Sequence, residues 1–437
     1  MPQPQPPSPR HRAVVLGGGI GGLAAAAALT LAGRQVTVLE RAPSLKPVGA
    51  AISLSPNALR ALDVLGVGDR IRDLAAWQGD GGLRAPSGRW ISRTDAAAVA
   101  ERFGGPLVLL HRATLIDTLA ALLPPGAVRT DTPARLTDPG DVRRPARVST
   151  PDGELEADLV VAADGIHSAT RRTLFPDHPG PVYSGFTTWR LVIPVPGVAF
   201  ASHETWGVGR IWGTHPLKDG RVYAYAAALT SPGGHVADER AELLRRFGHW
   251  HDPIPAVLAA ARPEDVLRHD VHHFAEPLPA LHRGRVALLG DAAHPMPPTL
   301  GQGANQAVED AVVLALPHSR LRSSGGTPIA DDLAAYTAAR LPRTTAVTRR
   351  AVRVARVNMM GNRAGAAVRD AVIAAVSRAR PGLLLRGFDG IADWRPEQPP
   401  YAAGRTAVTD MTGRAGATGV PDATGVTGAD GTTGENT

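Results

Sequence analysis

The feature that most constrains this chain is the run Gly17-Gly18-Gly19-Ile20-Gly21-Gly22, which contains the spacing GxGxxG. An apolar run at residues 13–16 comes directly before it, and an alanine-rich stretch at residues 23–32 follows it. A second apolar run occupies residues 36–39. This pattern predicts a strand, a tight turn, a helix and a second strand, which together form the unit of a parallel sheet with a right-handed crossover.

The glycines and one acid of this unit point to a dinucleotide. Gly17 permits the tight turn, Gly19 lets the backbone approach a pyrophosphate, and Gly22 lets helix and strand pack closely. The helix start supplies free amides and a positive dipole end. Glu40, directly after the second strand, is placed to accept hydrogen bonds from ribose hydroxyls, which favours FAD or NAD over NADP. The unit alone leaves FAD and NAD both open.

Two later segments each place an Asp beside a Gly at the end of an apolar run. The first, residues 158–171, contains Asp164-Gly165, and the second, residues 290–311, contains Gly290-Asp291. The Asp291 carboxylate is suited to bind ribityl hydroxyls. Gly301 and Gly303 let backbone amides reach a planar ring, and a helix is predicted to begin at about Gly303. Such a helix start would stabilise negative charge on a reduced flavin.

These segments resemble the paired DG and GD motifs of the group A flavoprotein monooxygenases, the single-component FAD-dependent aromatic hydroxylases. The resemblance covers roughly residues 12–360. It also includes Glu40-Arg41, residues 48–59 and His111-Arg112. Within the para-hydroxybenzoate hydroxylase fold family, the chain is most similar to the salicylate-hydroxylase-like branch.

The resemblance implies non-covalent FAD, NADH or NADPH as co-substrate, and O2. It implies hydroxylation of an aromatic or other electron-rich small molecule through a flavin C4a-hydroperoxide. It places Pro298 near the reactive face of the flavin and gives His294 a structural role. The cofactor-binding residues it implies are Gly17, Gly19, Gly22, Glu40, Arg41, Ala51, Arg112, Asp164, Asp291, Gly301, Gln302, Gly303, Ala304 and Asn305.

Other functions remain open at this stage. The same cofactor residues would serve an epoxidase of an alkene or indole, a flavin dehydrogenase or reductase, or a non-catalytic FAD-binding protein. Only one dinucleotide fingerprint is present, which agrees with the group A plan, in which the nicotinamide has no Rossmann domain of its own.

The predicted fold class is α/β. A discontinuous Rossmann-like FAD-binding domain (residues 13–75, 105–180 and 278–330) is interleaved with an antiparallel-sheet substrate domain (76–104 and 181–277). C-terminal helices follow at 331–395. The helical pattern itself begins at Asn305 and continues to about Ala379, with breaks near Pro317 and Gly325. Residues 1–12 are rich in proline, and residues 396–437 are rich in Gly, Thr and Ala. Both are predicted to be disordered tails.

Residues 183–225 contain 8 of the 19 aromatic residues of the chain, in alternating runs typical of antiparallel strands. We expect this sheet to form a wall of the substrate pocket. Arg190 and Tyr225 are the preferred substrate contacts, with Arg210 as a second candidate for binding an anionic or phenolic group. Alternation predicts that Trp189 and Ile193 share one face. It also predicts that Trp206, Arg210 and Trp212 share a face.

Composition excludes several classes of function. The chain has 437 residues and no cysteine, which rules out disulfide frameworks, thiolate nucleophiles and cysteine-based metal sites, and we predict no metal. The net charge is +7, but all except two of the 47 basic residues are arginines spread along the chain. The densest group, at residues 343–356, is interpreted as a solvated helix face or an anionic-ligand face. We therefore predict a cytoplasmic monomer or homodimer that binds a small aromatic or polycyclic substrate and neither nucleic acid nor membrane.

Overall fold

The structure is a computed structural model, and it describes residues 11–45, 50–74, 76–77, 81–195, 200–320, 329–380 and 382–397. The two predicted tails lie outside these residues, apart from residues 11, 12, 396 and 397.

The β-strands of the described residues fall into four sheets. The strands are β1 (Arg12–Leu16), β2 (Gln35–Leu39), β3 (Ala51–Leu54), β4 (Ala76–Trp77), β5 (Gly81–Arg84), β6 (Trp90–Thr94), β7 (Val108–His111), β8 (Val128–Arg129), β9 (Arg135–Asp138), β10 (Ala146–Thr150), β11 (Gly153–Ala157), β12 (Leu159–Ala162), β13 (Val182–Pro194), β14 (His203–Trp206), β15 (Arg210–Pro216), β16 (Arg221–Leu229), β17 (Leu267–His273), β18 (His282–Arg283) and β19 (Val286–Leu288).

Short 3-10 turns occur at Gly290–Ala292 and Pro298–Leu300, among other places. The helices are α1 (Ile20–Leu31), α2 (Pro56–Val64), α3 (Gly68–Leu74), α4 (Ala96–Phe103), α5 (Arg112–Ala120), α6 (Ala169–Leu174), α7 (Glu239–Phe247), α8 (Ile254–Ala260), α9 (Gly303–Arg320), α10 (Ile329–Asn358), α11 (Arg363–Ala379) and α12 (Gly382–Leu385).

The first sheet has six strands in the order β18-β19-β12-β1-β2-β8, parallel except for the pair β18 and β19. Helix α1 packs against α5 on one side and against α9 on another. Because nearly every residue of α1 is buried, its alanine-rich and almost uncharged sequence is what this position requires. The predicted strand, turn, helix and parallel strand are confirmed.

The second sheet has seven strands in the order β17-β13-β16-β15-β14-β5-β6. Its pairs are antiparallel except for β14 with β5, which confirms the predicted sheet. As predicted, Trp189 and Ile193 share a face, and this face packs against α7 and α8. Arg190, Tyr223 and Tyr225 lie on the opposite face.

The prediction that Trp206, Arg210 and Trp212 share a face is wrong. Trp206 ends β14, and it pairs with Ile211 of β15, on the face opposite to Trp212. The turn between the two strands breaks the alternation on which the prediction relied. Arg210 shares the face of Trp212 and donates to the Arg246 backbone oxygen on α7 at 2.9 Å, so it is not a candidate substrate contact.

A three-stranded sheet, β3-β7-β4, joins the two larger sheets. Leu109 of β7 forms a hydrophobic cluster with Leu217 and Tyr223, and Ala51 of β3 and Tyr225 pack against this cluster. A further sheet, β11-β10-β9, includes the antiparallel hairpin of β10 and β11. These sheets follow the order of the predicted domains, whose exact boundaries stay a prediction.

The C-terminal region is helical, as predicted, and α10 packs against α9. Pro317 does not break the helix as predicted, because α9 continues to Arg320. The break predicted at Gly325 lies outside the described residues. An unpredicted break separates α10 from α11 at residues 359–362. None of the described helices is long and apolar enough to cross a membrane.

Candidate active site

The predicted cofactor residues follow four neighbouring strands of the six-stranded sheet. Gly17 comes after β1, Glu40 after β2, Asp164 after β12 and Asp291 after β19. These strands are parallel and adjacent in the order β19-β12-β1-β2. Their carboxyl ends therefore meet at one edge of the sheet, where ligands of such sheets bind.

The glycine-rich turn has the geometry that its sequence predicts. Gly17 has φ +106°, and a Cβ on Gly22 would lie 2.0 Å from the Gly17 backbone oxygen, so only glycine allows this close packing. A Cβ on Gly19 would meet no atom within 4 Å, so the space beside Gly19 is open. Gly19 caps α1 without a side-chain hydrogen bond, which leaves the first amides of the helix for a ligand.

Glu40 holds this turn in place. Its carboxylate accepts from the Gly18 amide at 2.6 Å and from the Ala42 amide at 2.8 Å. A carboxylate has about four acceptor positions, so Glu40 can still accept from ribose hydroxyls. The neighbouring Arg41 is exposed.

Asp164 and Asp291 each have acceptor oxygens left for a ligand. Asp164 Oδ2 accepts from the amide and the hydroxyl of Thr170, at 3.1 and 3.0 Å. Its Oδ1 is buried and has no hydrogen-bond partner among the described residues. The side chain of Asp291 is exposed, and its Oδ1 lies 3.9 Å from where a Cβ of Gly303 would be, at the start of α9.

The loop before α9 offers backbone more than side chains. Gly301 has φ +62°, with open space where a Cβ would be, and Pro298 is exposed beside it. Gln302 and Asn305 are fully buried. Their side chains bind the start of α2 at Ser55: Gln302 Nε2 donates to Ser55 Oγ at 3.0 Å, and Asn305 Oδ1 accepts from the Ser55 amide at 2.8 Å. Gln302 and Asn305 thus present only backbone groups to a ligand, as does Gly303, whereas Ala304 beside them is half-buried.

Two arginines add positive charge at this edge. Arg112 begins α5, its amide donates to the Ala50 oxygen at 2.9 Å, and its Nε is buried without a partner among the described residues. Burial lowers the pKa of Arg112, the nearby charge of Arg190 lowers it further, and Asp291 opposes both. Within the described chain, Arg190 has neither an ion pair nor a side-chain hydrogen bond. Two adjacent cations with unused donors favour an anionic ligand.

These features fit FAD. The uncapped start of α1 and the unpartnered Nε of Arg112 suit a pyrophosphate, and the free carboxylate oxygens suit ribose and ribityl hydroxyls. The open space at Gly19 and Gly301 lets backbone approach the cofactor closely. No group of three or more potential metal ligands occurs among the described residues.

Comparison with known proteins agrees with the geometry. Residues 10–351 match the family described as FAD binding domain. The chain belongs to this family. The predicted resemblance to FAD-dependent monooxygenases is thereby confirmed, and FAD is the cofactor.

The similarity to known proteins extends over most of the chain. It is 37% identical over 372 residues to an aurachin C monooxygenase/isomerase of Stigmatella aurantiaca, covering 84% of this chain and 94% of that protein. It is 38% identical over 360 residues to a 3-amino-4-hydroxybenzoate 2-monooxygenase of Streptomyces cremeus, covering 79% and 86%. The crystal structure of Klebsiella pneumoniae HpxO with FAD and uric acid matches with a TM-score of 0.76 and 29% identity, covering 86% of this chain and 97% of that one.

A wall of rings stands beside the cofactor edge. Tyr225 and His215 are stacked with ring centroids 5.6 Å apart and an angle of 15° between planes, and Tyr223 lies 5.6 Å from Tyr225. Burial lowers the pKa of His215 to about 4, so its ring is neutral at pH 7. Ala51, a predicted cofactor-binding residue of β3, and Tyr225 both pack against the cluster of Leu109, Leu217 and Tyr223, so the wall adjoins β3.

Three residues of this region were missed from the sequence. His215 and Glu204 reach the wall only through strand pairing, since Glu204 pairs with Gly213 and Gly213 pairs with Tyr225. His269 pairs with Thr188 next to Arg190. Partial burial and the charges of Arg190 and Arg112 lower the pKa of His269. Alternation within β15 is the one local signal that favoured His215, as it lies on the strand face opposite to Trp212.

Behind the site, a buried ionic network supports α9. His294 Nε2 lies 2.6 Å from Asp310 Oδ2, in agreement with the structural role predicted for His294. Arg340 of α10 binds Asp310 at 2.7 Å and Glu309 at 2.5 Å. Although burial opposes ionisation, His294 and Arg340 lower the pKa of Asp310 to about 2. Arg343, assigned from sequence to a solvated or ligand-binding face, instead binds Glu309 at 2.7 Å.

Proposed function

We propose that this FAD-dependent monooxygenase uses NADH or NADPH and O2 to hydroxylate a small aromatic or heteroaromatic ring that bears negative charge. The observation that carries the proposal is the position of the Arg190 guanidinium beside the aromatic wall. Its guanidinium shares a sheet face with Tyr225 and has no charged partner within the described residues. A cation beside a stacked aromatic wall suits a planar anion.

The names of similar proteins support an aromatic or heteroaromatic ring as the substrate. One similar enzyme is named for 3-amino-4-hydroxybenzoate, and one similar crystal structure contains uric acid. Both compounds are planar rings with acidic or polar substituents. Other similar enzymes are named hydroxylases, among them a FAD-dependent urate hydroxylase of Klebsiella oxytoca, which favours hydroxylation over the epoxidation that the sequence alone left open.

The residues divide the work between cofactor and substrate. When bound, FAD would supply the redox chemistry, because it takes electrons from NAD(P)H and passes them to O2. The amides at the start of α1, together with Arg112, would bind its pyrophosphate, and those at the start of α9 would favour negative charge on its ring. Arg190 would bind the acidic group of the substrate and Tyr225 would orient the ring. Pro298, exposed before α9, would line the approach to the flavin and help to exclude water.

The test is a purified protein assayed for three properties. We expect a flavin absorption spectrum, and oxidation of NADH or NADPH that is stimulated by 3-amino-4-hydroxybenzoate, urate or aurachin C. The product should gain one oxygen atom by mass spectrometry, with O2 consumed in equal amount. A protein that binds FAD but shows no ring-stimulated oxidation would contradict the proposal and favour a non-catalytic role. Ring-stimulated oxidation without oxygen in the product would favour a reductase.

Oligomeric state and location are a separate part of the proposal. We keep the monomer or homodimer and the cytoplasmic location predicted from sequence, and size-exclusion chromatography with light scattering tests the first.

A further inference from the structure

The hydroxyl group of Tyr225 is held by an acidic side chain from the neighbouring strands. It donates a hydrogen bond to Glu204 Oε1. The other carboxylate oxygen, Oε2, accepts from Trp206 Nε1 at 2.7 Å. Glu204 is thus bound on both oxygens by groups of the aromatic wall, and its position is fixed.

The strands leave room for this arrangement at one glycine. Gly213 lies between Glu204 and Tyr225 in the strand register. A Cβ on Gly213 would lie 2.3 Å from Tyr225 Cζ and 2.7 Å from its hydroxyl oxygen. Because real Cβ atoms do not approach so closely, only glycine lets the Tyr225 ring lie across β15 and reach Glu204.

The same hydroxyl group belongs to the face that meets the substrate. Tyr225 pairs directly with Arg190 on β13, so the two side chains leave the sheet on one side. Ala51, a predicted cofactor-binding residue, packs with Tyr225 against the cluster of Leu109, Leu217 and Tyr223. Tyr225 is also partly exposed, whereas Trp189 on the opposite face is 2% exposed.

The charge of Glu204 decides what Tyr225 can offer. Burial, the negative charge of Glu204 and the hydrogen bond to it all raise the pKa of the Tyr225 phenol. The phenol therefore keeps its proton, and that proton is donated to Glu204. A phenol has one donor, so its oxygen has only lone pairs left for another group.

We propose that Glu204 is a positioning residue that fixes Tyr225 as a hydrogen-bond acceptor for the substrate. The site then selects rings that present an O–H or N–H donor to Tyr225 and an acidic group to Arg190. A methoxy group at the same position of the ring has no proton to donate, so its oxygen would face the lone pairs of the Tyr225 oxygen without a hydrogen bond. This inference rests on the proposed function, and it narrows the substrate to donor-bearing acidic rings.

The experiment compares matched ligands on the FAD-loaded enzyme. Dissociation constants are measured from the change in the flavin spectrum for the three hydroxybenzoate isomers and for the corresponding methoxybenzoates. The wild type should bind at least one hydroxybenzoate about 10-fold or more tightly than its methoxy partner, because an unmatched polar group in a site is costly. In Glu204→Gln the ratio should fall to near 1, since the glutamine amide can donate to Tyr225 and free its proton. In Tyr225→Phe the ratio of the two dissociation constants should also fall to near 1.

A matched control separates this role from stability. Glu239→Gln changes a second glutamate that accepts from a tryptophan, Trp189 Nε1 at 2.7 Å, on the opposite face of the sheet. The hydroxy-to-methoxy ratio should persist in that variant. A ratio that survives Glu204→Gln, or the absence of hydroxyl preference in every wild-type pair, would overturn the inference. Failure of the proposed function is seen separately, as missing ring-stimulated NAD(P)H oxidation in the wild type.

Discussion

Arg190 is the residue whose charge most directly tests the substrate class. Replacing it with Ala should raise the KM for an acidic ring by about 10- to 100-fold, because a hydrogen bond to a charged group contributes about 1.5–3 kcal/mol. FAD content should stay unchanged. Arg210→Ala is the control, since Arg210 lies on the opposite face and donates to the Arg246 backbone oxygen. Equal KM values in the two variants would remove Arg190 from the site.

Gly19 tests the cofactor site without disturbing the fold. Its φ of −73° suits any residue, and a Cβ there meets no protein atom within 4 Å. Gly19→Ala should therefore fold normally yet lose most of its FAD, because the methyl group would occupy space at the pyrophosphate. Gly382→Ala, at another open glycine, is the control. FAD content per protein is read from the absorption spectrum, and normal FAD binding by Gly19→Ala would count against this placement of the cofactor.

At the scale of elements, α9 and α10 are joined by the ionic network around Arg340. Arg340 is 1% exposed, and its removal would leave Glu309 and Asp310 buried without it. Arg340→Ala should lower the free energy of unfolding by about 3–5 kcal/mol. Arg245→Ala removes an exposed ion pair to Glu242 and should change the free energy of unfolding far less, because exposed ion pairs are screened by solvent. Urea unfolding followed by circular dichroism measures both, and similar losses would contradict the argument.

Elements differed in how far their sequence predicted them. The β1, α1 and β2 unit was predictable because each step depends on nearby residues: an apolar run, glycines at fixed spacing, and an acid after the strand. The face of Trp206 relative to Trp212 was not, since the turn between β14 and β15 resets the alternation. Glu204 was missed because only the pairing of three strands brings it to Tyr225. Side-chain contacts across strands depend on register, which local patterns do not fix.

For the whole molecule, the two large sheets supply the two halves of the candidate site. The parallel sheet provides backbone amides and acids at one edge, and the antiparallel sheet provides the ring wall and Arg190. The small sheet of β3, β7 and β4 connects them through Ala51 and Leu109. Since the predicted cofactor residues come from distant parts of the chain, the candidate site requires the assembled sheets.

Acid should destabilise this assembly as a whole. Several described histidines have pKa values lowered chiefly by burial: His111, His203, His215, His251, His269, His273 and His282. Between the unfolded pKa of 6.5 and a lower folded pKa, the unfolded chain binds more protons, so stability is complete above pH 6.5 and falls as the pH drops. For His215, whose folded pKa is about 4, the loss reaches at most about 1.4 kcal/mol per pH unit.

The measurement is the free energy of unfolding in urea at pH values from 7.5 to 4.5. We expect a continuous fall below pH 6.5, and a shallower fall in His215→Phe, which keeps an aromatic ring beside Tyr225 but cannot take up a proton. Asp310, with a folded pKa of about 2, stays ionised in the fold across this range, and it adds to the slope only near pH 4.5, where the unfolded carboxyl of pKa 3.8 begins to take up protons. A wild-type curve that is flat down to pH 5, or a variant curve parallel to it, would show that these histidines are as easily protonated in the fold as in the unfolded chain.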